Sequence, residues 1–213
     1  MSNPRVYAKA QSAGRATDDS WVNLRASRDG APIVLPWFVA LAIEGKAYKV
    51  RLGTITAPLE GDIAITDAAA EAAVDAATGY TIIPVYLNVQ IESLNGGTLP
   101  ECAFKSVGAV STSGTAFVPL NLKIGGPAAT NVARVAAAGG VAVAAELATT
   151  TRRHFANVAV IAGNSSVLAN TYFKLPPMLV GPSSAYLQVA GATAGPLYFA
   201  HFDYVELTAA ESS

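Results

Sequence analysis

The chain offers few side chains that could carry catalysis or bind a metal ion. Only two histidines, His154 and His201, occur among its 213 residues. Alternation near the C-terminus places His201 and Asp203 on one face of a strand, where they could bind a cation or orient each other beside a serine. Two ligands do not complete a metal site, and the sequence lacks the G-x-S-x-G turn of serine hydrolases. We therefore expect a hydrogen-bonded polar pair inside the domain.

A short basic cluster stands at the start of an apolar run. Arg152, Arg153 and His154 directly precede residues 155–162, which read as a strand. Such a cluster can form an anion site, but the start of an apolar strand is also where a chain commonly meets solvent or a partner. We interpret the three residues as a solvated or partner-facing strand end, with an anion site as the alternative.

The carboxylates and loops show no catalytic or phosphate-binding pattern. Glu71 and Asp75 lie in an alanine-rich segment, and residues 60–62 belong to a turn, so no glycosidase-like acid and base pair is predicted. Residues 125–127, Gly-Gly-Pro, lack the Lys-Ser/Thr pair of a phosphate loop. Residues 164–166 match a glycosylation triplet, which without a secretion signal indicates only a polar turn.

Cysteine usage and hydropathy narrow the cellular context. Cys102 lies in an apolar alternating segment, which favours a buried thiol over a nucleophile or a redox sensor. Residues 1–20 are polar and lack the apolar core of a secretion signal. The most apolar stretch, 132–148, is interrupted by two charges and a Gly-Gly pair, so we expect no membrane span. The sequence predicts a protein made in a cytoplasm, with no catalytic residue, cofactor or metal.

Charged residues are unusually scarce. They make up 14% of the chain against 52% apolar residues, where an isolated soluble domain has about a quarter charged. Between Glu101 and Asp203 the single acidic residue is Glu146. A surface with so little charge is typical of a subunit that other protein covers, and we expect the subunit contacts to concentrate in this half of the chain.

The charge is also unevenly distributed. Residues 1–51 hold eight lysines and arginines against four acids, whereas the rest of the chain is net acidic. The cations are spread singly and the isoelectric point is near 6.1, so nucleic-acid binding is not expected. Residues 1–31 show no sustained period and indicate an N-terminal arm that docks on an acidic protein shell. The candidate contact residues of this arm are Arg5, Lys9, Arg15, Arg25 and Arg28.

Alternation of apolar and polar residues predicts strands over most of the remaining chain. The apolar runs 33–43 and 47–56 flank a short glycine-containing loop and suggest a hairpin, with Pro36 at an edge or bend. Pro84 to Glu92 is the clearest strand, with Val85, Leu87, Val89 and Ile91 on one face, and residues 95–97 turn the chain after it. The same pattern predicts strands over 118–124, with Val118, Leu120, Leu122 and Ile124 on one face, and over 185–190.

Two alanine-rich pieces and the last strand complete the pattern. Residues 68–77 are ambiguous and lean towards a strand from Glu71, and residues 132–147 read as two strands around a Gly-Gly bend. Residues 197–207 form the final strand, whose aromatic stripe we interpret as core or interface. Short strands separated by turn residues are typical of a sandwich or a barrel. The residues of the stripe face are Tyr198, Ala200, Phe202 and Tyr204.

The order of these features resembles a family of tailed-bacteriophage virion proteins. The resemblance implies a jelly-roll subunit, often trimeric, that decorates or cements the capsid, and it implies no enzymatic activity. We therefore expect an all-β protein: an arm at 1–31 and one antiparallel, jelly-roll-like β-sandwich at 32–213. The expected partners are the major capsid protein and further copies of the chain, on the capsid surface of a virion assembled in a bacterial cytoplasm. The segments that carry the resemblance are VNLRASRDGAPIVLPW, EGKAYKVRLGTITAP, GYTIIPVYLNVQIESLNGGT, GTAFVPLNL and LYFAHFDYVEL.

Two other functions are weighed against this one. A module on a tail or fibre that binds carbohydrate on the host surface would need exposed aromatic side chains flanked by amides and acids. Its candidates are Trp21, Trp37, Tyr86 and Tyr198, although the apolar run around Trp37 favours a core position. A hydrolase built on His201, Asp203 and a serine is the third hypothesis.

Overall fold

The computed structural model describes residues 5–7, 21–23, 36–96, 99–145, 151–156 and 166–212, with only the backbone at 5–7, 21–23, 151–156 and Ser166. Its helices are α1 (Trp37–Ile43) and α2 (Ala209–Ser212). The strands are β1 (Arg5–Tyr7), β2 (Trp21–Asn23), β3 (Ala47–Leu52), β4 (Leu59–Glu60), β5 (Ala69–Ala70), β6 (Ala72–Ala76), β7 (Tyr80–Ser93), β8 (Pro100–Val107), β9 (Thr115–Phe117), β10 (Leu120–Asn121), β11 (Val132–Val135), β12 (Val141–Ala142), β13 (Thr151–Ala156), β14 (Ser166–Tyr172), β15 (Leu179–Val180), β16 (Ser183–Gly191) and β17 (Leu197–Thr208).

Two antiparallel sheets face each other with jelly-roll connectivity. The first sheet contains the order β3-β17-β7-β14, and the second contains β6-β16-β8-β13. If these eight strands are numbered from 1 to 8 along the chain, the order in the first sheet is 1-8-3-6. The order in the second sheet is 2-7-4-5. Consecutive strands repeatedly cross from one sheet to the other, which is the double Greek key of a jelly roll. The predicted all-β, jelly-roll-like sandwich is confirmed.

The main core lies between the two sheets. Phe202 of β17 packs edge-on against Phe104 of β8, with ring centroids 5.4 Å apart, and Tyr204 stacks on Tyr48 at 5.7 Å. The predicted stripe of β17 is thus core, because its members are all buried in this cluster. Cys102 is a buried free thiol in the same cluster, as predicted.

Residues 108–145 form a long segment between β8 and β13 in the chain. This segment adds strands to both sheets on the same side of the sandwich. It places β10 beside β3 in the first sheet and β11 beside β6 in the second. The strands predicted around Gly139 and Gly140 are confirmed as β11 and β12, and the strand predicted from Glu71 is confirmed as β6.

The strand predicted over 118–124 is wrong in extent and in burial. The segment contains only the two residues of β10, because Pro119 has no N–H to donate and Gly125, with φ of 78°, turns the chain. Val118, Leu120, Leu122 and Ile124 do not face the core but are all exposed.

The hairpin predicted over 33–56 is also wrong in its first half, which is the helix α1. The carbonyl of Pro36 accepts the first helical hydrogen bonds, and Gly45, with φ of 81°, ends the helix in a left-handed turn. Leu41 and Ala42 of α1 pack on the outer face of the first sheet. The second half of the predicted hairpin is confirmed as β3.

A bulge divides the faces of β7. Asp203 of β17 pairs with Tyr86 and Tyr204 pairs with Pro84, so Val85 is an extra residue between them. Val85 therefore packs under α1, whereas Leu87, Val89 and Ile91 belong to the main core. The prediction that all four share one face is wrong for Val85.

The N-terminal arm lies mostly outside the described residues. In its described part, β1 pairs antiparallel with β2, which places Arg5 opposite Asn23. The other candidate contact residues are outside the described residues: Lys9, Arg15, Arg25 and Arg28. The boundary between an arm and a domain at residue 32 stays a prediction. Neither helix of the described chain is long and apolar enough to cross a bilayer.

Candidate interaction surfaces

The structure places His201 and Asp203 on the outer face of the first sheet and not inside the sandwich. The ring of His201 lies 5.5 Å from that of Tyr86, and Asp203 lies 3.7 Å from the Nζ atom of Lys49. No group of three or more possible metal ligands comes together within the described ranges.

Burial and neighbouring cations set the charges of this pair. Burial, aided by Lys49 and Arg51, lowers the pKa of His201 to about 4. Burial raises the pKa of Asp203 to about 6, although Lys49 opposes the change. Near neutral pH the pair is therefore a neutral imidazole beside a carboxylate, in an aromatic and cationic setting.

The other sequence-selected groups do not converge on one site. His154, Arg152 and Arg153 lie on β13, where the backbone alone is described, and β13 is an edge strand of the second sheet. Residues 125–127 form part of the turn after β10. Asn164 and Ser165 are outside the described residues.

Two acidic residues for which the sequence predicted no role, Glu71 and Asp75, are buried and accept hydrogen bonds from backbone N–H groups. Glu71 is 1% exposed and accepts hydrogen bonds from the backbone N–H groups of Asp62 (3.1 Å) and Val189 (2.8 Å). Burial raises the pKa of Glu71 to about 8. Asp75 accepts bonds from the N–H and the hydroxyl of Ser111 at 2.8 and 2.9 Å.

A third acid acts in the same way from the last strand. Glu206 accepts hydrogen bonds from the backbone N–H groups of Thr130 and Asn131, at 3.0 and 3.2 Å. Asp75, through Ser111, and Glu206 therefore both fasten segment 108–145 to the sandwich. These acidic side chains stabilise the fold. In the sequence, the sign that could have revealed them is an acidic residue within an apolar run that resembles a strand.

Two groups of exposed apolar side chains lie at the two edges of the first sheet. Val118, Leu120 and Ile124 form the β10 edge, and Ile124 is fully exposed. Leu175, Met178 and Val180 form the β14 edge, around β15, and Leu175 is 84% exposed. Because the order of the described strands runs from β10 to β14, these surfaces lie at opposite edges of the first sheet.

The candidates for a carbohydrate-binding face separate clearly. Trp37 is 46% exposed on α1, so the core position favoured by its apolar run is wrong. Tyr198 is fully buried in the main core and cannot contact a ligand. Tyr86 is half-buried on the outer face of the first sheet, and Trp21 lies on β2, where the backbone alone is described.

Known proteins offer no further guidance to the role of these surfaces. Comparisons of the chain with protein-family models, with curated proteins and with solved structures found no match.

Proposed function

We propose that the chain is a structural subunit of a tailed-bacteriophage virion that decorates the capsid and cements its shell through protein contacts. The virion class comes from the sequence segments that resemble such proteins, and the jelly-roll sandwich is compatible with it. One observation supports an assembly role most directly: the two opposite edges of the first sheet both carry exposed apolar side chains.

The edges fit a contact between copies of the chain. Large exposed apolar surfaces on soluble proteins usually mark interaction sites, and sheet edges also present unpaired backbone groups. If the β10 edge of one subunit meets the β14 edge of the next, the contact is head-to-tail, and rotation closes it into a ring. A homotrimer is the ring size that the resemblance implies. Both edges lie between Glu101 and Asp203, the acid-poor half of the chain.

The arm would supply the second contact, to the major capsid protein. Its net positive charge suits an acidic shell surface, and an arm that orders on binding can bridge neighbouring capsid subunits. A ligand that binds the assembled shell stabilises it by mass action, which is how such a subunit would cement a capsid. The residues assigned to this contact are Arg5, Lys9, Arg15, Arg25 and Arg28.

Removing the arm tests this division of labour. A chain lacking residues 1–30 should keep the oligomeric mass of the full chain, because the edges remain, but should no longer load onto purified capsids that lack the protein. Loading is measured by co-sedimentation, and electron microscopy of loaded particles shows whether the full chain lies on the shell. Normal loading of the truncated chain would remove the arm from the proposal.

The same micrographs separate the second candidate function. A host-binding module would appear on the tail or its fibres, and a cement protein on the shell. Full-chain density confined to the tail would overturn the capsid assignment.

A further inference from the structure

Within the described part of the chain, α1 covers one part of the outer face of the first sheet. The helix packs on Ala47, Val85 and Val205, which together with Leu41 form a small apolar cluster. Beyond that cluster the face continues as two rows of side chains that run across β14, β7, β17 and β3. Residues paired across antiparallel strands share a face, so each row can be read from the strand register.

The row nearer to α1 contains two tyrosines and an ion pair. Tyr172 pairs with Tyr86, Tyr86 with Asp203, and Asp203 with Lys49. The two tyrosine rings lie 4.7 Å apart, and Tyr172 is 61% exposed. This row thus offers an aromatic surface next to a carboxylate that is within reach of an ammonium group.

The second row is made of amides, an imidazole and a guanidinium. Asn170 pairs with Asn88, Asn88 with His201, and His201 with Arg51. The hydroxyl of Tyr86 donates to the Oδ1 atom of Asn170 at 2.7 Å, which links the rows. These side chains are planar and can donate and accept at the same time, apart from Arg51, which only donates.

Five rings form a continuous chain along this face. Trp37 and Phe38 of α1 are 6.1 Å apart, and Phe38 is 6.1 Å from Tyr172. Tyr172 contacts Tyr86, which contacts His201 at 5.5 Å. The chain of rings therefore runs from the exposed face of the helix down to the polar rows.

A cavity lies where the helix meets the first row. Its volume is about 250 Å³, slightly below the roughly 300–1,000 Å³ that is usual for small-molecule sites. Phe38, Val39 and Ala42 line one side, and Tyr172 and Asp203 line the other. It is mostly apolar and has a carboxylate at its wall, which is the usual composition of a specific ligand site.

We propose that this face binds a glycan built of pyranose sugars, with one sugar unit in the cavity and its neighbours along the chain of rings. The carbon-bound hydrogens of a pyranose pack on aromatic faces, and its ring of hydroxyl groups needs partners that both donate and accept. Aromatic side chains bordered by an aspartate and by the exposed Asn170 and Arg51 meet both requirements, whereas Asn88 is buried beneath the row. Nucleic acid fits less well, because Asp203 would repel phosphate and only Lys49 and Arg51 would attract it.

The test uses the full chain, labelled fluorescently, on a printed array of bacterial polysaccharides and pyranose oligosaccharides. The unmodified chain should bind a defined subset, and the affinity for the best glycan is then measured by calorimetry. Tyr172→Ala and Trp37→Ala should each weaken that binding at least tenfold, whereas Ile55→Ala, at an exposed residue in the turn after β3, should not change it. Circular dichroism and oligomeric mass should match the unmodified chain for all three variants.

Three results would overturn the inference. The first is a folded full chain that binds no glycan on the array, and the second is binding that neither variant weakens. The third is binding that appears only when residues 1–30 are deleted, which would mean that the arm covers the face. The inference does not depend on the proposed function: Tyr172→Ala should still load onto capsids, and the arm deletion should still bind the glycan.

Discussion

Buried acidic side chains in this protein accept hydrogen bonds from backbone amides. Glu71 receives the N–H groups of Asp62 and Val189, and so joins the loop after β4 to β16. A carboxyl group so deeply buried is costly to ionise, and its pKa rises accordingly. Glu71 is therefore a structural acid that keeps its proton to higher pH than an exposed glutamate does.

Replacing Glu71 by glutamine should destabilise the fold. The side-chain amide of glutamine has one acceptor oxygen where the carboxyl group has two, so the substitution would leave a buried N–H unpaired or facing another donor. The expected loss is about 1–3 kcal/mol in the free energy of unfolding. Urea unfolding at one fixed protein concentration measures it, and Glu60→Gln, at an exposed site in β4, should change stability by less than about 0.5 kcal/mol.

The loss should also depend on pH. The folded chain holds the Glu71 proton up to about pH 8, whereas the unfolded chain releases it near 4.5. Stability from this group is thus fully present below pH 4.5 and declines as pH rises towards 8. The glutamine variant does not titrate at this position, so the gap between the two proteins should be larger at about pH 5 than at about pH 8. A gap that widens with pH would contradict the assigned burial.

The sequence could not reveal this role. Glu71 and Asp75 stand in a run of alanines, where spacing alone does not distinguish a solvated pair from a buried one. Their burial depends on Ser111, Arg134 and the loop at Asp62, which the fold brings from distant parts of the chain. The C-terminal stripe was predictable because its alternation is local.

At the scale of the elements, segment 108–145 determines how the sandwich is closed. Its strand β10 is short, and Asn121 supports it: the amide nitrogen donates to the carbonyls of Gly45 (2.8 Å) and Pro127 (2.7 Å), and Oδ1 accepts from the N–H of Lys123 (2.8 Å). One side chain thus joins the turn after β10 to the end of α1.

Asn121→Ala should therefore loosen this turn without unfolding the domain. Losing three hydrogen bonds at a partly exposed site should cost about 1–2 kcal/mol. Limited digestion with trypsin should cut faster after Lys123, while cleavage after the exposed Lys174 serves as an internal control and should keep its rate. Equal cleavage rates at Lys123 in both proteins would show that Asn121 does not hold the turn.

The element errors have physical causes. The helix α1 was read as a strand because seven successive apolar residues show neither a period of two nor one of 3.6. The helix is favoured because it buries apolar side chains such as Leu41 against the outer face of the first sheet. Alternation over 118–124 predicted a half-buried strand, but the partner that such a face needs is not within the described chain.

At the scale of the whole molecule, the scarcity of charged residues coincides with two exposed apolar surfaces. Both surfaces lie in the acid-poor half of the chain, at opposite edges of the first sheet. An assembly contact of about 800 Å² per partner is a standard size, and a permanent ring should exceed it. The strand spacing predicted a sandwich or a barrel, and only the resemblance implied jelly-roll connectivity. The exposed edges were not predictable, because exposure depends on the order of the strands in space.

A single charge at either edge should break the assembly. Ile124→Asp and Leu175→Asp each remove an apolar side chain worth about 1.5–3 kcal/mol when buried and add a carboxylate that would need to be desolvated. Each variant should weaken association at least tenfold, because the proposed head-to-tail contact uses both edges. Ile55→Asp changes another exposed isoleucine, away from the edges, and should leave the assembly intact.

Light scattering coupled to size-exclusion chromatography tests this account most directly. The full chain should elute with a mass that is a multiple of 21.8 kDa, three times for the expected trimer, and both edge variants should shift towards 21.8 kDa while Ile55→Asp does not. A full chain that remains at 21.8 kDa at every micromolar concentration, or edge variants with unchanged mass, would contradict it.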